Sequence, residues 1–165
     1  MKLAGRIEIA APARDVWDLM IDPVSLAACV PGVQHVARVD DRTFKGTISA
    51  AVGPMEGQFE FASTIVSSEY PTDLQVETLG TDSVTRSQLQ ANVQAWLEPL
   101  DPGRTALAYR ATVNVNGRLA IVGEMILRAT AGVMIGELVK CLRARLEAGA
   151  GGRPAAADVA AGPPG

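Results

Sequence analysis

Residues 44–65, FKGTISAAVGPMEGQFEFASTI, alternate between apolar or small residues and polar residues on both sides of Gly53-Pro54. A Gly-Pro dipeptide is typical of a turn, and a period of two residues is typical of a strand with one buried face. Two such runs joined by a short turn predict a β-hairpin. The segment therefore indicates an antiparallel sheet with one solvated face.

The same alternation occurs on both sides of the hairpin. Residues 2–10 form a first strand, and six strands in all are predicted between Val33 and Gly117. On these strands Trp96 has the parity of the outward side chains, whereas Tyr109 has the parity of the inward ones. The sequence thus predicts a seven-stranded antiparallel sheet.

Helical segments are predicted before and after the meander. Pro12 begins a short helix that Asp22-Pro23 interrupts, because a residue before proline is disfavoured in the α region. A second short helix spans residues 24–30. Residues 119–147 lack proline and predict one long helix of about 43 Å. The expected fold class is α+β, with the sheet and the long helix burying their apolar faces against each other.

The C-terminal end has a different composition. Residues 149–165 contain six Ala, five Gly and three Pro, which leaves little apolar surface to bury. We expect one folded domain over residues 1–148 and a disordered tail over 149–165.

Composition and charge exclude several classes of protein. His35 is the only histidine, so a zinc site of ordinary ligands cannot be built, and we predict no metal. The net charge is −3 without a basic run, which argues against nucleic-acid binding. Arg6 and Glu8 interrupt any secretory signal, so we expect a cytoplasmic protein with Cys29 and Cys141 reduced.

The sequence carries no recognisable catalytic motif. No Ser-His-Asp spacing, GxSxG motif or phosphate-binding loop occurs, and His35 is interpreted as a surface residue. We therefore predict no catalytic residue and a protein that is not an enzyme.

Apolar and small residues suggest an internal cavity. Between Leu119 and Gly136 only Glu124 and Arg128 are charged, so this half of the helix is core, cavity lining or a contact surface. Many inward sheet positions are small, Gly46, Ala91 and Ala111 among them. Such positions either curve the sheet or leave room for an apolar ligand.

The predicted cavity lining combines both layers with the short helices. Tyr109 is of special interest, because its hydroxyl either bonds to backbone or donates to a ligand carbonyl. The lining residues are Trp17, Val30, Phe59, Phe61, Val93, Tyr109, Ile126, Ala129, Thr130, Val133 and Met134.

Several segments resemble one known family. They include Ala11-Pro12 before Val16-Trp17, Cys29-Val30-Pro31-Gly32, residues 52–57 (VGPMEG) and residues 116–120 (NGRLA). Over about residues 1–145 the chain resembles the CoxG family of carbon monoxide dehydrogenase accessory proteins, within the helix-grip (SRPBCC) superfamily. The resemblance implies a curved sheet wrapped around the long C-terminal helix.

The resemblance also implies a function. Such proteins are non-catalytic accessories of molybdenum hydroxylases of the carbon monoxide dehydrogenase type, and their cavity suits a respiratory quinone, menaquinone or ubiquinone. Three possibilities stay open: a quinone carrier between the enzyme and the cytoplasmic membrane, a recruiting or assembly factor without ligand transport, and a cyclase or aromatase enzyme.

A mouth is predicted beside the second short helix, since short helices interrupted by proline move more easily than a sheet. It comprises Leu26, Val30, Pro31, Gly32 and Val33. We expect its apolar residues to contact the inner face of the cytoplasmic membrane weakly and reversibly.

Overall fold

The computed structural model describes residues 1–151, with side chains for 1–148. The strands are β1 Lys2–Ile9, β2 Val33–Arg38, β3 Thr43–Val52, β4 Met55–Glu69, β5 Asp73–Asp82, β6 Ser87–Asp101 and β7 Arg104–Asn116. The helices are α1 Ala13–Met20, α2 Pro23–Ala27, a 3-10 helix Arg118–Val122 and α3 Glu124–Gly151. Of the predicted tail, residues 149–151 continue α3, and the remainder lies outside the described residues.

One antiparallel sheet contains all seven strands in the order β1-β7-β6-β5-β4-β3-β2. Within the predicted hairpin, Val52 pairs with Met55 across the Gly53-Pro54 turn. Register shifts interrupt β4 after Ile65 and β6 after Pro99, and such bulges bend a sheet. The predicted α+β architecture, a curved seven-stranded sheet around a long helix, is confirmed.

The two short helices follow β1 as predicted. Asp22 caps α2, because its carboxylate accepts hydrogen bonds from Ser25 Oγ at 2.7 Å and from the Val24 N–H at 3.2 Å. The hydrogen bond from the Ser25 side chain is the largest influence that lowers the pKa of Asp22. Helix α2 ends at Ala27, three residues earlier than the sequence predicted.

The long helix differs from its prediction at the start. Residues 118–122 form a 3-10 helix, and Gly123, with φ 92° and ψ 162°, separates it from α3. This backbone region is essentially restricted to glycine, so Gly123 ends one helix before the other begins. Sequence analysis missed the break because one glycine inside an apolar run is compatible with a helix.

Helix α3 is fastened along the open edge of β1. Arg128 Nη1 donates to the carbonyl of Lys2 at 2.8 Å, and Arg143 Nη2 donates to the carbonyl of Glu8 at 3.1 Å. These bonds satisfy edge carbonyls that no neighbouring strand pairs, and they orient α3 along the sheet.

The two cysteines form a disulfide, so the prediction that both are reduced thiols is wrong for this structure. Cys29 follows α2 and Cys141 lies in α3, 112 residues later, yet their Cα atoms are 5.4 Å apart. This distance lies in the range of disulfides. No CxxC spacing marks the pair in the sequence, because only the packing of α2 on α3 brings the residues together.

Candidate ligand-binding site

The inner face of the sheet is the face that α3 covers. The register aligns Leu3 of β1, Ala111 of β7, Val93 of β6 and Val76 of β5 in one row. All four side chains are only half-buried, although they lie in the middle of the sheet. The centre of the inner face is therefore less tightly covered than an ordinary core.

Two separate buried clusters lie on either side of this centre. The α1 cluster includes Trp17, Leu97 and Leu142 and reaches the C-terminal half of α3. The 3-10 cluster consists of Val52, Phe59 and Leu119, with partly buried neighbours that include Ile126 at the start of α3. The helix is thus supported near both of its described ends.

Between the clusters lies what we call the central region. Its residues are half-buried and belong to neither cluster. They are Leu3, Phe61, Ala91, Val93, Ala111 and Val113 of the sheet, with Thr130, Ala131, Met134 and Ile135 of α3. The backbone of α3 comes closer to β1 and β3 than to β5, β6 and β7, which form the floor of this region.

The eleven predicted lining residues divide into several groups. Phe61, Val93, Thr130 and Met134 lie in the central region. Trp17 and Phe59 are buried in the flanking clusters, and Tyr109 and Ile126 pack against them. Val30 is half-buried in the segment after α2.

Two of the predicted lining residues lie on the wrong side of α3. Val133 is 68% exposed, and Ala129 is exposed as well. Their assignment to the inner face is therefore wrong. The apolar half of α3 has few charged residues to mark its outer side, so the sequence does not define the rotation of the helix about its axis.

Glycines on the inner face lie against aromatic rings. A Cβ atom on Gly5 would come within 2.7 Å of the Tyr109 ring, one on Gly46 within 2.9 Å of Phe61, and one on Gly57 within 2.9 Å of Phe59. The space left by these glycines is thus occupied by rings that lie over neighbouring backbone. The small residues at these three positions do not themselves form a void, contrary to the simplest interpretation of the sequence.

A pair of hydroxyl groups adjoins the central region, and sequence analysis missed it as a possible ligand-binding feature. Ser63 Oγ and Thr78 Oγ1 are 2.6 Å apart on the neighbouring strands β4 and β5. Whichever hydroxyl donates, the other keeps its own hydrogen for a third group. The signal in the sequence was their shared inward parity.

Asp82 closes the end of the sheet beside the 3-10 cluster. Its carboxylate accepts hydrogen bonds from Thr85 Oγ1 at 2.8 Å and from the Val84 N–H at 2.9 Å. Ser87 Oγ lies 2.8 Å from Thr85 Oγ1 and accepts the Leu119 N–H at 3.0 Å. Burial alone raises the pKa of Asp82, but the hydrogen bonds from Thr85, Val84 and the Gln58 N–H hold the pKa below its ordinary value.

We expect Asp82→Asn to lower the free energy of unfolding by about 1–3 kcal/mol at neutral pH, because a buried carboxylate loses charge-assisted hydrogen bonds. The lowered pKa stabilises the ionised folded form, so this contribution is present above about pH 4 and is lost as the pH falls through the folded pKa. Urea unfolding between pH 7 and pH 3 should show the wild type and the variant converging in acid. The exposed Asp41→Asn is the control, and a constant difference at all pH values would contradict the assignment.

The predicted mouth is more firmly held than its proline-rich sequence suggested. Leu26 packs half-buried against the α1 cluster, and Val30 and Val33 are half-buried too, whereas Pro31 and Gly32 are exposed. The Ser49 N–H donates to the Gly32 carbonyl at 2.9 Å. With the Cys29 disulfide on the other side, this segment is fastened at two places.

Two other types of site find no support in the described part of the chain, and a third feature lies on the outer face. Among the described residues, no three His, Cys, Asp or Glu side chains are grouped as metal ligands. None of the helices in residues 1–151 is long and apolar enough to span a membrane. A groove of about 480 Å³ lies on the outer face of the sheet, over Asn92, Gln94 and Arg110, on the side away from α3.

Solved structures share this arrangement of sheet and helix, which defines a protein of the helix-grip, START-like class. A conserved protein from Geobacillus kaustophilus matches with a TM-score of 0.82 and 19% identity, covering 89% of this chain and 95% of its own. A START superfamily protein from Mycobacterium smegmatis gives 0.62 and 19%, covering 88% and 97%. The Zhui aromatase/cyclase from Streptomyces sp. R1128 gives 0.66 and 14%, covering 90% and 94%.

A family comparison identifies the chain more closely. The family model described as a carbon monoxide dehydrogenase subunit (CoxG) matches residues 5–147, and the chain belongs to this family. No curated protein matches the chain. The predicted resemblance is therefore confirmed.

Proposed function

We propose that this protein is an accessory carrier for a molybdenum hydroxylase of the carbon monoxide dehydrogenase type. It binds an apolar ligand, a respiratory quinone such as menaquinone or ubiquinone, between α3 and the sheet. It carries this ligand between the enzyme and the inner face of the cytoplasmic membrane, and it catalyses no reaction itself.

The observation that carries the proposal is the central region. Ten side chains between α3 and the sheet are half-buried, while residues on both sides of them form closed clusters. A core that served stability alone would be filled at this point, since unfilled space costs dispersion contacts. A flexible side chain such as Met134 adapts readily to a ligand.

The chemistry of the central region suits a quinone. The floor is apolar, and Phe61 and Tyr109 supply aromatic surface for a planar ring. Quinone carbonyl oxygens accept hydrogen bonds, and the Ser63 and Thr78 pair retains one hydroxyl hydrogen to donate. The Tyr109 ring lies over Gly5, and none of the hydrogen bonds among the described residues uses its hydroxyl. Tyr109 is therefore a second donor.

The proposal is tested by mass spectrometry of lipid extracted from the purified protein, for the wild type and for Val93→Trp. We expect quinone from the wild type and at least a tenfold loss from Val93→Trp, because the indole fills the central region. The melting temperature should change little, since Val93 is only half-buried. A filled core would instead lose about 1–3 kcal/mol to overpacking.

Asn92→Trp is the matched control, because Asn92 precedes Val93 on the same strand and is exposed on the outer face. This variant should keep its quinone. If the wild type carries no quinone and binds none that is added, the carrier function is wrong. Recruitment of the enzyme without ligand transport would then be the better account.

A further inference from the structure

Three apolar side chains at one end of the molecule are fully in contact with solvent. Val84 is 82% exposed, Ile121 81% and Met125 85%, the highest values for large apolar residues in the described part of the chain. They lie in the β5–β6 turn, in the 3-10 helix and in the first turn of α3. Because adjacent strands are antiparallel, the β3–β4 turn reaches the same end.

Direct contacts hold these elements together. The Leu119 N–H donates to Ser87 Oγ at 3.0 Å, which fixes the 3-10 helix against β6 just after the turn. A Cβ atom on Gly117 would overlap with the carbonyl of Arg86, so the chain leaving β7 touches the β5–β6 turn. Val84 and Ile121 therefore belong to one surface.

Two arginines give this surface a positive charge. Arg86 and Arg118 are exposed, and neither joins an ion pair among the described residues. Glu124, the acidic residue at the start of α3, is neutralised by Arg128 at 3.1 Å, and Asp82 is buried. Glu56 of β4 is the remaining exposed carboxylate near this end. A chain with net charge −3 thus presents a local cationic surface.

Arg86 adopts a backbone conformation that favours glycine. Its φ is 57°, and it is the only non-glycine residue of the described chain with a positive φ. An arginine in this conformation is disfavoured, because Cβ crowds the following carbonyl. Retaining an arginine here suggests that its guanidinium group has a use that offsets the cost.

We infer that the basic apolar end, made up of Val84, Arg86, Arg118, Ile121 and Met125, docks on an anionic phospholipid surface. Apolar tips that enter the interface and guanidinium groups that meet lipid phosphates are the two components of reversible membrane binding. The inference rests on the proposed carrier function and gives it a membrane contact. It differs from the mouth predicted from the sequence, where Leu26, Val30 and Val33 are half-buried.

The test is co-sedimentation of the full chain with vesicles of phosphatidylglycerol and phosphatidylcholine, and with vesicles of phosphatidylcholine alone. We expect stronger binding to the anionic vesicles, weakened by salt. Ile121→Asp and Met125→Asp should each reduce binding at least about tenfold. Leu79→Asp adds the same charge at a side chain that is 59% exposed on the outer face of β5, and it should bind like the wild type.

Arg86→Gly provides an independent readout. Glycine accepts this φ without crowding, so the melting temperature should rise or hold, while binding to anionic vesicles falls about fivefold. A lower affinity cannot then be attributed to misfolding. Unchanged vesicle binding in Arg86→Gly, or equal binding to neutral vesicles, would overturn the electrostatic part of the inference.

The remaining outcomes separate this inference from the proposed function. If Leu26→Asp abolishes vesicle binding and Ile121→Asp does not, the docking surface is wrong and the carrier function stands. If the wild type binds no vesicles, the docking surface and the membrane step are both wrong, and the lipid extract still decides whether quinone is carried. Loss of enzyme binding in Ile121→Asp with intact vesicle binding would reassign the surface to the enzyme.

Discussion

Gly117→Ala is expected to lower the free energy of unfolding by about 4 kcal/mol. Gly117 has φ 92° and ψ −158°, a region that is essentially restricted to glycine. A Cβ atom there would also overlap with the carbonyl of Arg86 and approach Ser87 Cα to 2.7 Å. These are backbone atoms that cannot rotate away, so the 3-10 helix must separate from the β5–β6 turn. Urea unfolding measures the loss.

Gly123→Ala is the matched control for this prediction. Gly123 has the same φ of 92°, but no atom lies within 4 Å of the position of its Cβ. Alanine there has only the conformational cost, about 2 kcal/mol. The difference between the variants measures how tightly the 3-10 helix is held against the turn. Equal losses would mean that Gly117 serves only its own dihedral angles.

The sheet was predictable because its signal is local. Residues 44–65 alternate without interruption, and each strand is paired by the neighbour that follows or precedes it. Residues of one parity then share one face, and a shift by one residue would move all of them to the other side. The central region inherits its floor from this parity, so Val93 and Phe61 were placed on the inner face from the sequence.

The orientation of α3 was harder to predict. Ala129 and Val133 were placed inside, whereas the structure exposes them and buries the side of Leu142. Residues 125–136 carry one charge, that of Arg128, so the pattern leaves the polar side nearly unmarked. Arg128 and Arg143 set the rotation through bonds to β1, and such long-range bonds are invisible to periodicity.

Long-range contacts also explain the interpretation of the inner glycines. From the sequence, Gly5, Gly46 and Gly57 are absent side chains, and only the register reveals the aromatic ring that occupies each place. Tyr109 directly opposes Gly5, and Phe61 opposes Gly46. Aromatic residues are known to cover glycines across strands. The glycines therefore position the rings, and the rings shape the proposed site.

Removal of the disulfide is expected to produce the other large effect. The Cys29→Ala/Cys141→Ala variant should lose up to about 5 kcal/mol, because the bond closes a loop of 112 residues in the unfolded chain. Alanine avoids placing an unsatisfied hydroxyl at position 29, where Cys29 is 4% exposed. Urea unfolding of the oxidised wild type, the reduced wild type and the variant measures the effect. The last two should agree.

The same bond should control the exchange of ligand. Cys29 ends the α2 segment and leads into Val30, Pro31 and Gly32, so the disulfide fastens the proposed entrance to α3. Reduction removes this link and leaves the Gly32 to Ser49 hydrogen bond. We therefore expect a short-chain quinone to leave reduced protein several-fold faster, measured by stopped flow well below the melting temperature. Gly123→Ala, which is destabilised but keeps the disulfide, is the control. Equal release rates with and without the bond would place the entrance elsewhere along α3.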